Sequence, residues 1–330
     1  SFSGSSGFIR FTCDLGGGPN MVRIDICICT YNPRLDVLAR VMTSIRDQQA
    51  IGEHTISVVV VDNASNPPIT KSVFEPLNGS TMVTKLIQEP SPGIARARAA
   101  AANATLAEWV LFVDDDNELN PDYVLNGLRV IRDHPTVGCF GGKLVLPDYI
   151  QPPPWSRPFL PYLGIKDFGD QRMECISEHW GPWEPPTAGA FVHRDVLREY
   201  LRLANASVNV FRLGRAAGKL LSCEDSILMR GAAKVGRSNA YEPSLILRHH
   251  LAPFKFRFGY LLRLMYGYGV SHVVLESVLR GHHPIAKYHK SRLALLTSVF
   301  WVLWVESKKS VPYAVGIIAY HLGARAEYLA

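Results

Sequence analysis

Residues 109–119 read WVLFVDDDNEL, in which five apolar residues are followed by three adjacent carboxylates. An apolar run of this length predicts a strand buried on both faces, and the acids predict the point at which the strand reaches solvent. Carboxylates about 4 Å apart repel each other by roughly 4 kcal/mol per pair at an effective dielectric of about 20. A hard cation removes that cost, so Asp114, Asp115 and Asp116 predict a site for Mg²⁺ or Mn²⁺. The alternative is that these acids only cap the following segment in solvent.

Similar apolar runs precede this one, at residues 24–30 (IDICICT), 56–61 and 83–87. A helical apolar period from Leu35 to Ile45 and an Ala-rich helix opened by Gly93 lie between them. Strands that alternate with helices predict an α/β fold with a mainly parallel sheet covered on both faces. The first two runs also end in polar residues, Thr30-Tyr31-Asn32 and Asp62-Asn63. Since ligands lie at the carboxyl ends of parallel strands, the sequence predicts a site there.

The second half of the chain has a weaker pattern. Residues 147–186 are rich in proline and aromatic residues without clear periodicity, which predicts a long ordered loop over the site. A short strand at residues 190–192 and helices that begin near Asp195 and Glu224 follow. The segment from Phe254 to Leu279 is predicted to be helical.

Composition narrows the choice of partners. The 330 residues are 47% hydrophobic and carry a formal net charge of +6 at pH 7, which suits phosphate-bearing ligands or anionic lipid. The basic residues are dispersed and no nucleic-acid-binding module is recognisable, so nucleic acid is not an expected partner. Six cysteines without a CxxC pair predict free thiols in a reducing cytosol. Residues 1–20 are predicted to be a disordered tail or residues foreign to the natural protein.

Two apolar runs lie near the C-terminus. Residues 293–305 fall short of the roughly 20 residues needed to cross a bilayer, and residues 311–322 form the second run. Tryptophans at the end of the first run and two lysines after it, Lys308 and Lys309, predict helices that lie in a membrane interface. The alternative is a pair of C-terminal helices packed on the domain or in a dimer interface.

Seven motifs in order resemble family 2 glycosyltransferases, which have the GT-A fold and invert the anomeric centre, and within them the bacterial enzymes that build surface polysaccharides. The motifs, which span residues from about 24 to 269, are ICTYN at 28–32, VVDNAS at 60–65, GIARARAAAAN at 93–103, FVDDDNEL at 112–119, PPTAGAFVHRDVL at 185–197, CEDSILMRGAAKVG at 223–236 and HHLAPFKFRFGYLLRLMYGYG from 249. Two other classes of nucleotide-binding enzyme, the dinucleotide-binding oxidoreductases and the P-loop enzymes, are not supported, because their glycine-rich motifs are missing. No GxGxxG follows the first strand, and Gly141-Gly142-Lys143 precedes a leucine.

The resemblance implies a GT-A catalytic domain at residues 21–253, with a nucleotide-binding half at 21–118 and an acceptor half at 119–253. Residues 254–330 would form a helical, membrane-associated extension. The implied reaction is metal-dependent transfer, with Mn²⁺ or Mg²⁺, from a nucleotide-diphosphate sugar to an acceptor hydroxyl in polysaccharide or glycolipid synthesis. A UDP-sugar is favoured over GDP or dTDP forms, and the acceptor would be a saccharide or lipid-linked.

The implied location is the cytoplasm, at the inner face of the cell membrane, with peripheral membrane contact. The alternative function is a catalytically inactive module that binds a nucleotide sugar and associates with the membrane. Intact Asp116 and Asp225 favour the enzyme.

The resemblance also implies roles for individual residues. The expected nucleotide-binding residues are Thr30, Tyr31, Asn32, Asp62, Arg98, Asp114 and Asp115. Arg98 matches the arginine of the family's ARN signature, although Ala99 replaces the asparagine. The expected metal ligands are Asp114, Asp116 and His249, with His250 as the alternative histidine.

The expected catalytic base is Asp225, and Glu224 would orient it or the acceptor, because displacement at an anomeric carbon needs a base for the incoming hydroxyl. The same acids also suit a helix N-terminus, which favours negative charge. The expected acceptor-binding residues are Trp180, Trp183, Gly189 and Ala190. For the tryptophans, stacking on a sugar and simple packing are both open.

Overall fold

The computed structural model describes residues 21–48, 52, 54–216, 218–280, 302–308 and 310–329. The predicted tail at residues 1–20 lies outside them. The strands are β1 (Arg23–Thr30), β2 (Thr55–Asp62), β3 (Val83–Gln88), β4 (Trp109–Asp114), β5 (Asn117–Leu119), β6 (Val137–Val145), β7 (Met173–Cys175), β8 (Ala190–His193), β9 (Arg215–Ala216), β10 (Lys219–Leu220) and β11 (Ser238–His249). The α-helices are α1 (Leu35–Arg46), α2 (Ile94–Ala104), α3 (Tyr123–Asp133), α4 (Arg194–Ala206), α5 (Glu224–Lys234), α6 (Phe258–Arg280) and α7 (Val311–Leu329).

The central sheet has the strand order β3-β2-β1-β4-β8-β6-β11-β5, and β7 pairs with β11. Strands β1 to β4 are parallel to one another, and β6 is parallel to β11. Strand β8 is antiparallel to both β4 and β6, as β5 and β7 are to β11. The sheet is therefore mostly parallel, with helices on both faces, which confirms the predicted α/β class.

Strand β1 explains why the apolar runs are continuous. Ile24, Ile26 and Ile28 point into one core with α1 and α3, whereas Cys27 and Cys29 point into the opposite core with α2, α4 and α5. Because successive strand residues face opposite sides, a strand covered on both faces needs an apolar residue at almost every position. The five cysteines that the structure describes are free, as expected.

Strands β6 and β11 and helix α3 were not predicted from the sequence. In β6, a Cβ on Gly142 would lie 2.0 Å from the carbonyl oxygen of Leu245, so only glycine fits where the strands meet. The register with β11 shifts beside it, between Tyr241 and Ile246, where Pro243 interrupts the pattern. The prediction of a loop at residues 147–186 was wrong in part, because the segment contains a 3₁₀ helix (Pro154–Leu163) and β7.

The C-terminal helices α6 and α7 pack closely against each other and against the 3₁₀ helix at Pro154–Leu163. A Cβ on Gly269 of α6 would lie 1.9 Å from the carbonyl oxygen of Tyr320 in α7, and the glycines at this contact allow the backbones to approach. Phe159 and Tyr313 bring α7 onto the 3₁₀ helix, in an aromatic cluster with α6. For α7, these contacts favour a helix packed on the rest of the chain over a helix that lies in a membrane interface. Most of the other apolar run, residues 293–305, lies outside the described residues. No helix in the described residues is long and apolar enough to span a membrane.

Candidate active site

A cavity of about 560 Å³ opens at the carboxyl ends of β1 and β4. Its volume falls within the range of small-molecule sites. One wall consists of the strand ends, with Tyr31 after β1 and the acids Asp114, Asp115 and Asp116 at the end of β4. The other walls come from the start of α2, the chain between Arg215 and Asp225, and the start of α6. The cavity is thus lined by residues from both of the ranges, 21–118 and 119–253, into which the sequence analysis divided residues 21–253.

Asp115 and Asp116 are neighbours with opposite electrostatic surroundings. Burial and the adjacent charge of Asp116 raise the pKa of Asp115, a hydrogen bond donated by Thr30 lowers it, and the net effect is a pKa of about 7. Burial also opposes ionisation of Asp116. His249 Nε2 and Lys255 Nζ, each 3.2 Å from its carboxylate, outweigh that effect and hold its pKa well below the usual range. Asp116 is therefore held as an anion by its contacts with His249 and Lys255.

Arg98 links the strand-end acids to α5. Its guanidinium is buried, with Nη1 2.5 Å from Glu224 Oε1 and Nη2 3.9 Å from Asp114 Oδ1. Burial raises the pKa of both carboxyl groups, and the positive charge of Arg98 opposes that rise. Arg98 therefore couples two expected site residues. Burial also raises the pKa of the adjacent Cys29 to about 12, so this thiol is neutral and a poor nucleophile.

Asp225 lies in the first turn of α5, which follows a left-handed residue, Cys223, with φ of 67°. Its Oδ1 accepts a hydrogen bond from the backbone N–H of Ser226. Among the described residues, no Lys, Arg or His lies within ion-pair distance of this carboxylate. Asp225 is therefore an unpaired acceptor that lines the cavity.

Helix α5 is held by a buried ion pair beneath Asp225. Glu184 accepts hydrogen bonds from the Ser226 hydroxyl at 2.6 Å and from Arg230 Nε at 2.9 Å, and the side chains of Glu184 and Arg230 are 5% and 7% exposed. The sequence analysis did not identify this pair, because its partners lie 46 residues apart and only Arg230 belongs to one of the quoted motifs.

The expected metal ligands share the cavity without converging on one point. In the described part of the chain, no group of three or more His, Cys, Asp or Glu residues is arranged to hold a metal ion. The chemistry of the donors nevertheless fits a hard cation, since Asp114 and Asp116 supply oxygen atoms. His249 Nδ1 is buried without a hydrogen-bond partner, which leaves one imidazole nitrogen uncommitted.

The residues after β1 and β2 divide between the cavity and its support. Tyr31 is 53% exposed and lines the cavity, so it is not a core residue. Asn32 faces a neighbouring groove, and its Oδ1 accepts from the backbone N–H of Asn66. Asp62 is fully buried, and its two oxygens accept backbone N–H bonds from Ser65 and Ile69. A nucleotide contact by Asp62 stays a prediction, because its oxygens would first have to change partners.

The expected acceptor residues are not among the residues that line the cavity. Trp180 is 59% exposed and Trp183 is partly buried. Gly189 has φ of +79°, and its carbonyl accepts from the buried hydroxyl of Tyr123 at 2.6 Å. Ala190 is fully buried in β8 and has no surface to offer a ligand. Instead, the adjacent residues 186–188 line the cavity.

Sequence reasoning missed the wall formed by the β9–β10 hairpin and its aromatic neighbours. Arg215 and Lys219 line the cavity from the hairpin, and Tyr260 and Tyr268 line it from α6. Strands of two residues leave no apolar periodicity to detect, so no signal in the sequence pointed to this wall.

Comparison with known proteins gives a family and a fold. The profile of the family "Glycosyl transferase family 2" matches residues 25–200, more than half of the chain. A glycosyltransferase of Haemophilus influenzae, named as uncharacterized, is 27% identical over 114 residues, which are 34% of this chain and 36% of that protein. Uncharacterized protein y4gI of Sinorhizobium fredii is 31% identical over 116 residues, which are 34% of this chain and 12% of that protein. The aligned part therefore spans about a third of the Haemophilus influenzae protein and about a tenth of y4gI.

Among solved structures, the fold is similar to that of the mannosyltransferase PcManGT from Pyrobaculum calidifontis, in complex with GDP-Man and Mn²⁺. The TM-score is 0.56 at 18% identity, and the match covers 94% of this chain and 87% of that one. The likeness confirms the predicted GT-A fold, and the family match confirms that the chain is a glycosyltransferase by descent. The chain belongs to glycosyltransferase family 2.

Proposed function

We propose that the protein transfers a sugar, with inversion, from a nucleotide-diphosphate sugar to an acceptor hydroxyl in a metal-dependent reaction. The observation that supports this most is the unpaired carboxylate of Asp225 in the same cavity as Asp114, Asp115 and Asp116. One end of the cavity thus suits a diphosphate and its cation, and the other supplies a base. Both are required for displacement at an anomeric carbon.

The donor would bind at the strand ends. The exposed ring of Tyr31 offers a face for a nucleobase, and Thr30 and Asp115 lie next to it. Lys255 is placed to exchange its contact with Asp116 for one with a phosphate oxygen. UDP is favoured by the resemblance to family members, whereas PcManGT was solved with GDP-Man, so both nucleotides enter the test.

Mn²⁺ or Mg²⁺ is the proposed cofactor, held by Asp114 and Asp116 with His249. The Mn²⁺ in the PcManGT complex agrees with this choice. The ion would supply positive charge for the diphosphate leaving group. The protein's own contribution is to hold Asp116 as an anion, through His249 and Lys255, before any ligand binds.

The base is assigned to Asp225, which takes the proton of the acceptor hydroxyl as that oxygen attacks the anomeric carbon. A single displacement of this kind inverts the configuration at that carbon. Glu224 is a positioning residue, because its salt bridge to Arg98 fixes the first turn of α5. Arg98 is hydrogen-bonded to Glu224 and lies at ion-pair distance from Asp114, so its proposed role is to join the donor and acceptor ends.

The acceptor is proposed to be a saccharide or a lipid-linked saccharide, in polysaccharide or glycolipid synthesis. Phe258, Trp304 and Val311 are exposed large apolar residues near the C-terminal helices, and Lys308 lies over the Trp304 ring. Such a surface suits peripheral contact at the inner face of the cytoplasmic membrane. Trp180 and Trp183 are kept as proposed acceptor contacts, although neither lines the cavity.

Thermal-shift measurements on the full chain with UDP, GDP and dTDP, each with and without Mn²⁺, test this function. A ligand that binds the native state raises the melting temperature. We expect the largest rise with UDP and Mn²⁺ together, and slow hydrolysis of the matching donor sugar. Binding without hydrolysis or transfer to any acceptor would favour the inactive module, and no nucleotide-dependent shift would overturn the proposal.

A further inference from the structure

The side chain of Asp225 has few contacts of its own to hold it in place. Among the described residues, its carboxylate makes one hydrogen bond, from the backbone N–H of Ser226 at 2.9 Å, and no ion pair. It is half-buried and lines the cavity. The direction in which this carboxylate points therefore depends on the backbone of the first turn of α5.

That first turn is not held by the usual helix cap. Cys223, which precedes it, has a left-handed backbone with φ of 67°, and its side chain makes no capping hydrogen bond. A residue other than glycine adopts this conformation at a cost, and the conformation persists where the surrounding structure imposes it. Contacts from elsewhere in the fold must therefore hold the start of α5.

Glu184 supplies such contacts to two successive turns of α5. Its Oε1 accepts a hydrogen bond from the Ser226 hydroxyl at 2.6 Å, and its Oε2 accepts one from Arg230 Nε at 2.9 Å. Since residues 226 and 230 are four apart, they lie on the same face of the helix. One buried carboxylate thus fixes the rotation of α5 about its axis as well as its position.

Glu184 also ties this helix to another wall of the cavity. Pro185 follows it, and residues 186–188, which come next, line the cavity. The backbone N–H of Glu184 donates to the carbonyl oxygen of Gly181 at 2.9 Å, and the two prolines restrict the chain between Glu184 and the wall. The separation between this wall and Asp225 is therefore set through Glu184.

The residues on both sides of Asp225 are thus anchored to different parts of the fold. Glu224 contacts Arg98 at 2.5 Å, and Ser226 contacts Glu184. Ser226 and Glu184 are not among the residues that line the cavity. They can therefore act on a ligand only through the residues next to them.

We propose that Ser226 and Glu184 are positioning residues for Asp225, which direct its carboxylate at the acceptor hydroxyl. The inference rests on the proposed function, since it takes Asp225 as the base. A base acts only within hydrogen-bond reach of the proton that it takes, and a misplacement of about 1 Å can lower a rate about 10²-fold. Loss of the hydrogen bond between Ser226 and Glu184 should therefore lower the rate without removing any group that touches the ligand.

Hydrolysis of UDP-glucose, UDP-galactose and UDP-N-acetylglucosamine with Mn²⁺ tests this assignment, with water as the acceptor and released UDP as the signal. Ser226→Ala removes the hydroxyl but keeps the buried ion pair of Glu184 with Arg230, so the fold is retained. Ser226→Thr restores a hydroxyl. Both kcat and KM are measured for these variants, for Asp225→Asn and for the double variant of Ser226→Ala with Asp225→Asn.

The matched control is Ser238→Ala. Ser238 is buried and donates a hydrogen bond to Glu174, which pairs with Arg172. The change therefore removes the same kind of contact at residues that do not line the cavity.

We expect Ser226→Ala to lower kcat about tenfold, with KM and the affinity for UDP within twofold of the wild type. Ser226→Thr should recover most of the loss, and Ser238→Ala should resemble the wild type. In the Asp225→Asn background, Ser226→Ala should cause no further loss, because residues that act as a unit have non-additive effects. A merely structural role would lower the rate equally in both backgrounds.

Unchanged kcat in Ser226→Ala, a similar loss in Ser238→Ala, or the same loss in both backgrounds would overturn the inference. A normal rate in Asp225→Asn, or no hydrolysis by the wild type, would instead count against the proposed function. Crystal structures of the wild type and Ser226→Ala test the inference independently of that result. The Asp225 carboxylate should turn to a new direction in the variant, and an unmoved carboxylate would overturn the inference.

Discussion

The two ends of the cavity differ in how their charges are matched. At the strand ends, Asp116 contacts His249 and Lys255, and Arg98 contacts both Asp114 and Glu224. At the α5 end, Asp225 and the hairpin cation Arg215 have no charged partner among the described residues. The strand ends are thus organised before a ligand arrives, whereas the α5 end presents free charges.

This difference separates charges that hold the fold from charges that await a ligand. A buried charge without a partner costs several kcal/mol, so a paired and buried charge is tied to stability. A half-exposed charge without a partner keeps most of its hydration and remains available for chemistry. The comparison therefore assigns different consequences to substitutions at the two kinds of position.

The largest expected effect is on the stability of the fold, and it comes from breaking an ion pair in which both charges are buried. Glu184→Ala removes the carboxylate that pairs with buried Arg230, and the remaining charge should lower the free energy of unfolding by about 3–5 kcal/mol. Urea unfolding followed by circular dichroism measures this change.

The matched control for Glu184 is Asp47→Ala, which breaks a pair with Arg46 in which the side chains are 53% and 41% exposed. Its cost should be close to zero, because an exposed ion pair contributes little to stability. The double variant Glu184→Leu with Arg230→Met should recover part of the loss. Similar costs for the buried and exposed variants would break the distinction between structural and available charges.

The next largest effect is on catalysis, and it comes from changing Asp225, the carboxylate without a charged partner among the described residues. Asp225→Asn removes the base but keeps the shape and the hydrogen bond from the Ser226 N–H, so nucleotide binding should be unchanged. Transfer should fall by roughly 10²-fold or more, the scale of general acid–base catalysis. Asp170→Asn, at a carboxylate that is 89% exposed, is the control. Normal turnover in Asp225→Asn would refute the assignment of the base.

Asp116→Ala probes the strand-end acids. It should weaken nucleotide binding, by a smaller factor than the loss of transfer expected for Asp225→Asn. Loss of one oxygen ligand is expected to weaken Mn²⁺-dependent binding of UDP by about 10–100-fold, at least the scale seen when the support of a metal ligand is removed. The measurement is nucleotide affinity with and without Mn²⁺. Asp133→Ala, on an exposed carboxylate paired with Arg132, controls for the loss of charge. An unchanged dependence on Mn²⁺ in Asp116→Ala would show that the ion is held elsewhere or not at all.

The same contrast explains how much the sequence revealed. Strand ends are marked by an abrupt change from apolar to acidic residues, so Asp114, Asp115 and Asp116 could be placed at the sheet edge without a structure. Arg98 was expected to contact the donor, but its partner Glu224 lies 126 residues away, and no pattern in the sequence links them. Pairing across the fold is a tertiary property that periodicity does not encode.

The β9–β10 hairpin and β11 are segments that the sequence did not reveal. Two-residue strands carry no periodic signal, and β11 contains Pro243 at a register shift, so its alternation is broken. The hairpin wall of the cavity and His249, at the end of β11, depend on these irregular segments. Residues chosen there by motif alone, such as Ala190, fell in the sheet interior, whereas Arg215 was missed.

The smallest expected effect concerns the exposed surface near the C-terminal helices. A truncation there would remove α7 and expose its buried contacts with Phe159, so a point substitution is the sharper test. Trp304 is 67% exposed, Lys308 lies 4.6 Å from its ring centre, and Trp155 links Ser310 to Phe258 in the same neighbourhood. Trp304→Ser should reduce co-sedimentation with anionic vesicles several-fold, because a basic residue near such lipid contributes on the order of 1 kcal/mol and apolar insertion adds to it. Trp180→Ser, at a tryptophan 59% exposed beside the Glu178–Lys234 pair, is the control and should sediment like the wild type. Equal sedimentation of all three proteins would mean that this surface serves the packed core or a second copy of the chain, and that the acceptor reaches the cavity from solution.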